Sequence, residues 1–403
     1  MKFLKDITLN IVSQAMFIAV QQLLLFPVFE KNLGQSNFGW FLLIYGIFNI
    51  FTVTIATSFT NLYQKKFNEL FNELKNRSAY YSFYKKLLMC FLILTIISSV
   101  SVIINKIDIV NYILLGLLVV FTASRMFLMV WYRVQKKFSM ILIVNFLLSS
   151  MYACLYFITI NSVTEILISF MAIEFVINII IYLLNRINIV VLINSKIKDF
   201  DLISLNFLMV SGFSASLMNY SDRLIINILL GASSITIFYI ATLPTKLMLF
   251  PFNMISSVIL SYLANTDNIT KYLKNRVLIS LPGVFISVFV ISYFIGIIIM
   301  KIIYPQYIEE VFDIYIYVTL TFSFICIDYI IRSFLLKYYS LLKKAMLDVV
   351  TLISFIILSI LFNLIDNSLV SIAVAQLVSF AIKVSIEIFI FIKLDTKELS
   401  KEV

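Results

Sequence analysis

Asn32-Leu33-Gly34-Gln35-Ser36-Asn37-Phe38-Gly39-Trp40-Phe41 and Leu229-Leu230-Gly231-Ala232-Ser233-Ser234-Ile235-Thr236-Ile237-Phe238 stand 197 positions apart in this chain of 403 residues. Leu33 aligns with Leu230, Gly34 with Gly231, and Phe41 with Phe238. The first copy follows the first long apolar stretch, and the second follows the seventh. Six stretches therefore separate them, so both copies run in the same direction across the membrane. Parallel repeats of this kind predict two six-helix lobes about an axis normal to the bilayer.

Twelve apolar stretches carry this reading: 7–29, 38–61, 87–104, 112–132, 139–160, 165–184, 203–224, 235–263, 277–299, 311–331, 345–363 and 369–392. A helix of about 20 residues crosses a hydrocarbon core about 30 Å thick, so each is long enough to span. Charge sets their orientation. Of 31 Lys and Arg, 24 fall at the N-terminus, in the even-numbered gaps or in the C-terminal tail. Lys31, Lys106 and Lys301 fall in odd gaps, and Arg125, Arg223, Lys246 and Lys383 lie inside stretches. Lys and Arg are retained on the cytoplasmic side, which places both termini in the cytoplasm. The expected lobes are 1–194 and 202–403, joined by a cytoplasmic linker at 195–201.

Composition excludes several classes. The chain is 62% hydrophobic and 13% charged, with a mean hydropathy of +1.03, far from a soluble domain. Outer-membrane barrels show alternating strands of about 10 residues, not continuous apolar runs. The net charge of +10 follows from loops facing anionic headgroups, so no nucleic-acid partner is expected. With no histidine, His-dependent nucleophile systems and HExxH zinc sites are absent. Cys90, Cys154 and Cys326 are far apart inside spans and read as small apolar residues. No Walker A sequence occurs. The outward gaps are short, leaving no exterior domain in which to build a glycan-transferring site. No catalytic residue, cofactor or metal is expected. A polytopic chain with short loops most simply moves something within its helix bundle.

Three further motifs accompany the repeat. Leu33-Gly34-Gln35-Ser36-Asn37-Phe38-Gly39 follows the first span, and Trp131-Tyr132-Arg133-Val134-Gln135-Lys136-Lys137 closes the fourth. Ser221-Asp222-Arg223-Leu224-Ile225-Ile226 lies in the seventh, followed by Leu230-Gly231 and Phe238-Tyr239. In this order they resemble the multidrug/oligosaccharidyl-lipid/polysaccharide flippase superfamily. Within it, the chain is most similar to the Wzx-like O-antigen repeat-unit flippases of the polysaccharide-transporter group. Lys136 departs from the pattern, since a small residue commonly follows that Gln. The resemblance implies an all-α, V-shaped, MATE-like pair of lobes in the bacterial inner membrane. It implies alternating-access transport of undecaprenyl-diphosphate-linked oligosaccharide to the periplasmic leaflet by a monomer surrounded by membrane lipids. A polysaccharide polymerase and a chain-length regulator are the implied partners, and H⁺ or Na⁺ the implied coupling ion.

Charges inside spans are costly and mark candidate sites. Lys246 and Glu174 fall near the middle of the eighth and sixth stretches. Arg125 lies one to two turns before the inner end of the fourth, and Asp222 and Arg223 lie in the outer part of the seventh. If the resemblance holds, Arg125, Lys246 and Arg223 would grip the diphosphate, and Asp222 and Glu174 are the carboxylates to test for ion coupling. The other reading of these five is as ion pairs that stabilise the lobes. Asn10, Gln14 and Gln21 share one face of the first span, and Ser211, Ser214 and Asp222 align in the seventh. Such stripes either line a path for sugar hydroxyls or glue helices together. Lys383 with Glu387, Asp328 with Arg332, and Asp348 with Lys344 read as structural pairs. Pro27, Pro244, Pro251 and Pro282 are candidate kinks. The rival functions are a multidrug or small-cation antiporter on the same fold, a membrane glycan polymerase, and a membrane scaffold.

Overall fold

The computed structural model describes residues 2–67, 77–91, 109–135, 137–186, 202–263, 269–394 and 396–397. The linker 195–201, Lys106, Lys136 and most of the third apolar stretch lie outside the described residues, as do the side chains of Asn10, Ser211 and Ser214.

The protein is an all-α, multi-pass membrane protein of twelve spans. The first span runs as a helix over Lys2–Ala19, a π-helical turn over Val20–Leu25, and then into the helix Phe26–Phe67. That last helix holds the second span as well, broken at Gly34, whose φ of 74° and ψ of 165° are not helical. The third begins within 77–91. The fourth is Ile109–Leu128 with a short continuation, Val130–Val134. The fifth and sixth are Phe138–Cys154 and Val163–Leu184. The seventh to twelfth are Leu202–Leu230, Ala232–Leu263, Lys271–Ile303, Ile308–Tyr338, Leu341–Ile365 and Leu369–Lys393.

The two repeat glycines do the same job. Gly231 also has a positive φ, 87°, and its N–H donates to the carbonyl of Ile226 at 3.1 Å. This bond back five residues closes the last turn of the helix at a glycine with positive φ, a common kind of helix end. A shared left-handed glycine thus ends the first and the seventh span.

Other helix ends are fixed by side chains. Ser162 Oγ accepts from Glu165 N, and Glu165 Oε2 accepts from Asn161 N, starting the sixth span in the manner of a capping box. The side chains of Thr270 and Ser368 cap the ninth and twelfth spans by accepting from Leu273 N and Ser371 N. At the far end of the sixth, Arg77 Nη2 donates to the carbonyls of Asn185 and Arg186. Lys274 Nζ donates to the carbonyl of Leu394 just beyond the twelfth span, and Ile269–Thr270 pairs in parallel with Thr396–Lys397. Pro27, Pro244, Pro251 and Pro282 all sit inside helices.

The chain divides into two compact units, Met1–Tyr220 and Ser221–Val403, with the division inside the seventh helix. In the first unit the first span packs on the fifth, the fourth on the sixth, and the second on the fourth. Phe26, Phe29, Phe38 and Phe41 form a fully buried aromatic cluster that Phe170 joins from the sixth span. Phe51 and Phe213 also meet here, and Thr54 Oγ1 donates to Ser216 Oγ. In the second unit the tenth helix is central, packing on the eighth, ninth and twelfth. Gly296 lets Tyr315 approach: its hydroxyl donates to the Ser292 carbonyl at 2.7 Å, where any Cβ on residue 296 would overlap it. Outward faces are apolar, with Ile279, Leu364 and Ile365 about four-fifths exposed. In a membrane protein such faces meet lipid, while charged groups turn inward.

Candidate functional site

Each unit contains one of the charge centres expected from the sequence. In the first unit, the fourth span presents Arg125 towards Glu174 of the sixth. Arg125 Nε and Nη2 donate to Glu174 Oε2 and Oε1 at 2.7 and 3.0 Å. This is a two-toothed guanidinium–carboxylate bond, the geometry that best uses a planar guanidinium. Both side chains are largely buried. Asn178, one turn beyond Glu174, ties the two spans together by donating to the carbonyls of Phe121 and Glu174. Arg125 also lies 5.8 Å from the ring centroid of Phe17, which packs edge-on against Tyr152.

The polar face of the first span meets this region. Gln21 is buried and accepts a hydrogen bond from Tyr45 Oη at 2.9 Å, and Tyr45 is itself within electrostatic reach of Arg125. Gln21 lies in the π-helical turn, a feature the sequence pattern did not reveal. Such turns insert one extra residue per turn and often mark functional segments. Gln14 is half-buried.

In the second unit, Asp222 is the hinge of the arrangement. Its Oδ1 accepts from the backbone N–H of Arg223 at 2.8 Å, and its Oδ2 lies 3.4 Å from Lys246 Nζ on the eighth span. The Arg223 guanidinium lies 5.7 Å from the ring centroid of Tyr239. Asp222 thus takes the backbone N–H of Arg223 and the ammonium of Lys246, while the Arg223 guanidinium lies over the Tyr239 ring. The Lys246 side chain is 29% exposed, against 4% for Asp222. Among the described residues its ammonium makes one long ion pair, with Asp222, while part of the side chain stays open. That combination suits capture of an anion.

A third centre lies in the second unit, in residues the sequence pattern resolved only as separate pairs. Lys344 Nζ lies 2.8 Å from Asp348, 2.7 Å from Glu387 and 3.7 Å from Asp328. Lys383 Nζ lies 3.0 Å from Asp348, 3.2 Å from Asp328 and 3.9 Å from Glu387. The pair expected from the spacing, Lys383 with Glu387, is thus the longest of these contacts. Asp328 pairs with two lysines from other spans, and among the described residues Arg332 forms no ion pair with it. Hydrogen-bonding periodicity along one helix cannot show contacts made across three.

No protein-family model and no curated protein matches the sequence. Solved structures match it along nearly its whole length. A multidrug resistance MATE family transporter of the MOP superfamily, in an outward-facing conformation, gives a TM-score of 0.65 at 11% identity, covering 96% of this chain and 94% of that one. The fold is that of the MOP-superfamily transporters. The lipid II flippase MurJ, in an inward closed conformation, gives 0.62 at 17% identity over 97% of this chain and 86% of its own. A MOP superfamily transporter from Pyrococcus furiosus, described as having a binding pocket of reversed polarity, gives 0.63 at 13% identity over 96% and 94%. Within this MOP fold, the Asp222–Arg223–Lys246 group occupies the seventh and eighth spans, and Arg125–Glu174 the fourth and sixth.

Proposed function

We propose that the protein is a flippase for undecaprenyl-diphosphate-linked O-antigen or related repeat units, moving them across the bacterial inner membrane by alternating access. The observation that carries this reading is the cation-rich centre on the seventh and eighth spans, where Lys246 stays partly open and Arg223 stands beside it. A diphosphate offers several acceptor oxygens to such a pair, and charge-assisted bonds of this type are among the stronger ones available. The prenyl chain would remain in lipid while the head group moves past these cations. The MurJ likeness supports a lipid-linked glycan as cargo, and the partly open Lys246 is the principal grip. A polymerase and a chain-length regulator would act on the delivered units.

The likeness to a multidrug transporter supports a second reading, an antiporter for organic cations. The carboxylates it would need, Glu174 and Asp222, are both engaged by cations of the chain itself. The deciding experiment reconstitutes the purified protein in vesicles carrying a polyprenyl-diphosphate oligosaccharide. A membrane-impermeant glycosidase reports which leaflet holds the glycan. Protein-dependent transfer between leaflets is expected. Absence of transfer, with uptake of an organic cation instead, would replace the flippase by the antiporter.

A further inference from the structure

The third charge centre holds three carboxylates and two lysines on the tenth, eleventh and twelfth spans. Asp328, Lys344, Lys383 and Glu387 are all at most 4% exposed, and Asp348 is the least covered. Two ammonium groups cannot neutralise three carboxylates, and a surplus charge at this depth is costly. The neighbouring helices offer little relief. Arg332, one turn from Asp328, is half-exposed; its charge acts on Asp328 from a distance, but it makes no ion pair with the three carboxylates among the described residues. On the ninth span Lys274 is spent on the carbonyls of Ile392 and Leu394, and Arg276 stacks on Tyr272. The eighth brings Lys246, which pairs with Asp222. Among the described residues, Tyr329 and Cys326 on the tenth span are further titratable groups nearby.

The surplus has a location. Glu387 Oε1 accepts from Lys344, but Glu387 Oε2 is buried with no donor. Asp328 Oδ1 likewise lacks an aligned donor, its lysine contacts being ion pairs without hydrogen-bond geometry. The two carboxyl groups border the same two ammonium groups, Asp328 Oδ1 at 3.7 and 3.2 Å and Glu387 Oε1 at 2.7 and 3.9 Å from Lys344 and Lys383 Nζ. Ionised carboxylates are acceptors only, so the two can bond only when one carries a proton. Like-charged carboxyls sharing a site take up one proton between them. A metal cation is disfavoured here, because the two ammonium groups already stand where it would sit, and no described group of acidic side chains is arranged to hold one.

We propose that Glu387 and Asp328 share one exchangeable proton, making this cluster a proton-binding site of the protein. Glu174 and Asp222 are each matched by at least one cation, so neither has the same need for a proton. Release of the proton restores an uncompensated negative charge among three packed spans, which couples proton occupancy to their packing. That the proton drives transport rests on the transporter reading above; its presence does not.

Infrared difference spectroscopy on the purified full-length protein, with pH stepped through the neutral range, reads it directly. The wild type is expected to show a protonated-carboxyl band that Glu387→Gln removes and Glu174→Gln leaves in place. Asp328→Asn, which equalises carboxylates and lysines, is expected to remove it too and serves if the first variant does not fold. A wild-type spectrum with no such band, or a band that survives either substitution in the cluster, overturns the proposal. The band is read without substrate, so its presence in a protein that moves no glycan would fail the flippase reading alone.

Discussion

Arg125 and Glu174, 49 residues apart in sequence, are joined by two hydrogen bonds of 2.7 and 3.0 Å across the fourth and sixth spans. The arrangement makes each the other's principal partner. Removing one member of a buried pair strands the other charge, at a cost of about 3–5 kcal/mol. Arg125→Gln or Glu174→Gln alone is therefore expected to lower thermal stability in detergent strongly. The double variant is expected to recover much of the loss, and a double-mutant cycle on melting temperatures measures it. An Arg125→Gln protein as stable as wild type but weak in transport would return Arg125 to the substrate.

Gly34 and Gly231 share a left-handed backbone at equivalent points of the two repeats, and open space surrounds both. Alanine at either position meets no neighbour, so its cost is conformational alone, about 1–2 kcal/mol. The Gly34→Ala and Gly231→Ala proteins are expected to lose similar amounts of stability, measured by thermal melting. A loss at one position and none at the other would remove the structural equivalence of the two loops.

Gly296 answers to a different constraint. Its φ is unremarkable, but a methyl there overlaps the Tyr315 hydroxyl that binds the Ser292 carbonyl. Overpacking of this kind costs about 1–3 kcal/mol. Gly296→Ala is expected to destabilise the second unit, and adding Tyr315→Phe, which removes the overlapping oxygen, to restore part of the loss. Melting curves of the single and double variants check this.

Much of the architecture was legible in the sequence because hydropathy and charge report on single segments. Twelve apolar stretches, the alternation of Lys and Arg, and the Leu33-Gly34 and Leu230-Gly231 repeat need no knowledge of which helix touches which. The charge centres were legible only as a set of residues. The proximity of Lys246 to Asp222, 24 positions away, and of Lys344 to Glu387, 43 positions away, depends on helix packing. Spacing along one helix favoured Lys383 with Glu387, yet burial brings Asp328 and Asp348 closer to that lysine. The π-helical turn at Gln21 left no periodic signal, because its six residues are as apolar as their neighbours apart from the two glutamines.

The central claim is that the partly open Lys246, beside Asp222, receives the anionic head group. Charge-assisted bonds contribute about 1.5–3 kcal/mol each, which corresponds to a tenfold or greater change in binding. The decisive measurement is leaflet transfer of a polyprenyl-diphosphate oligosaccharide in reconstituted vesicles by wild type, Lys246→Arg and Lys246→Glu. The account predicts that Lys246→Arg keeps most of the transfer and that Lys246→Glu loses it by about tenfold or more, with both variants folded. Undiminished transfer by Lys246→Glu would contradict it.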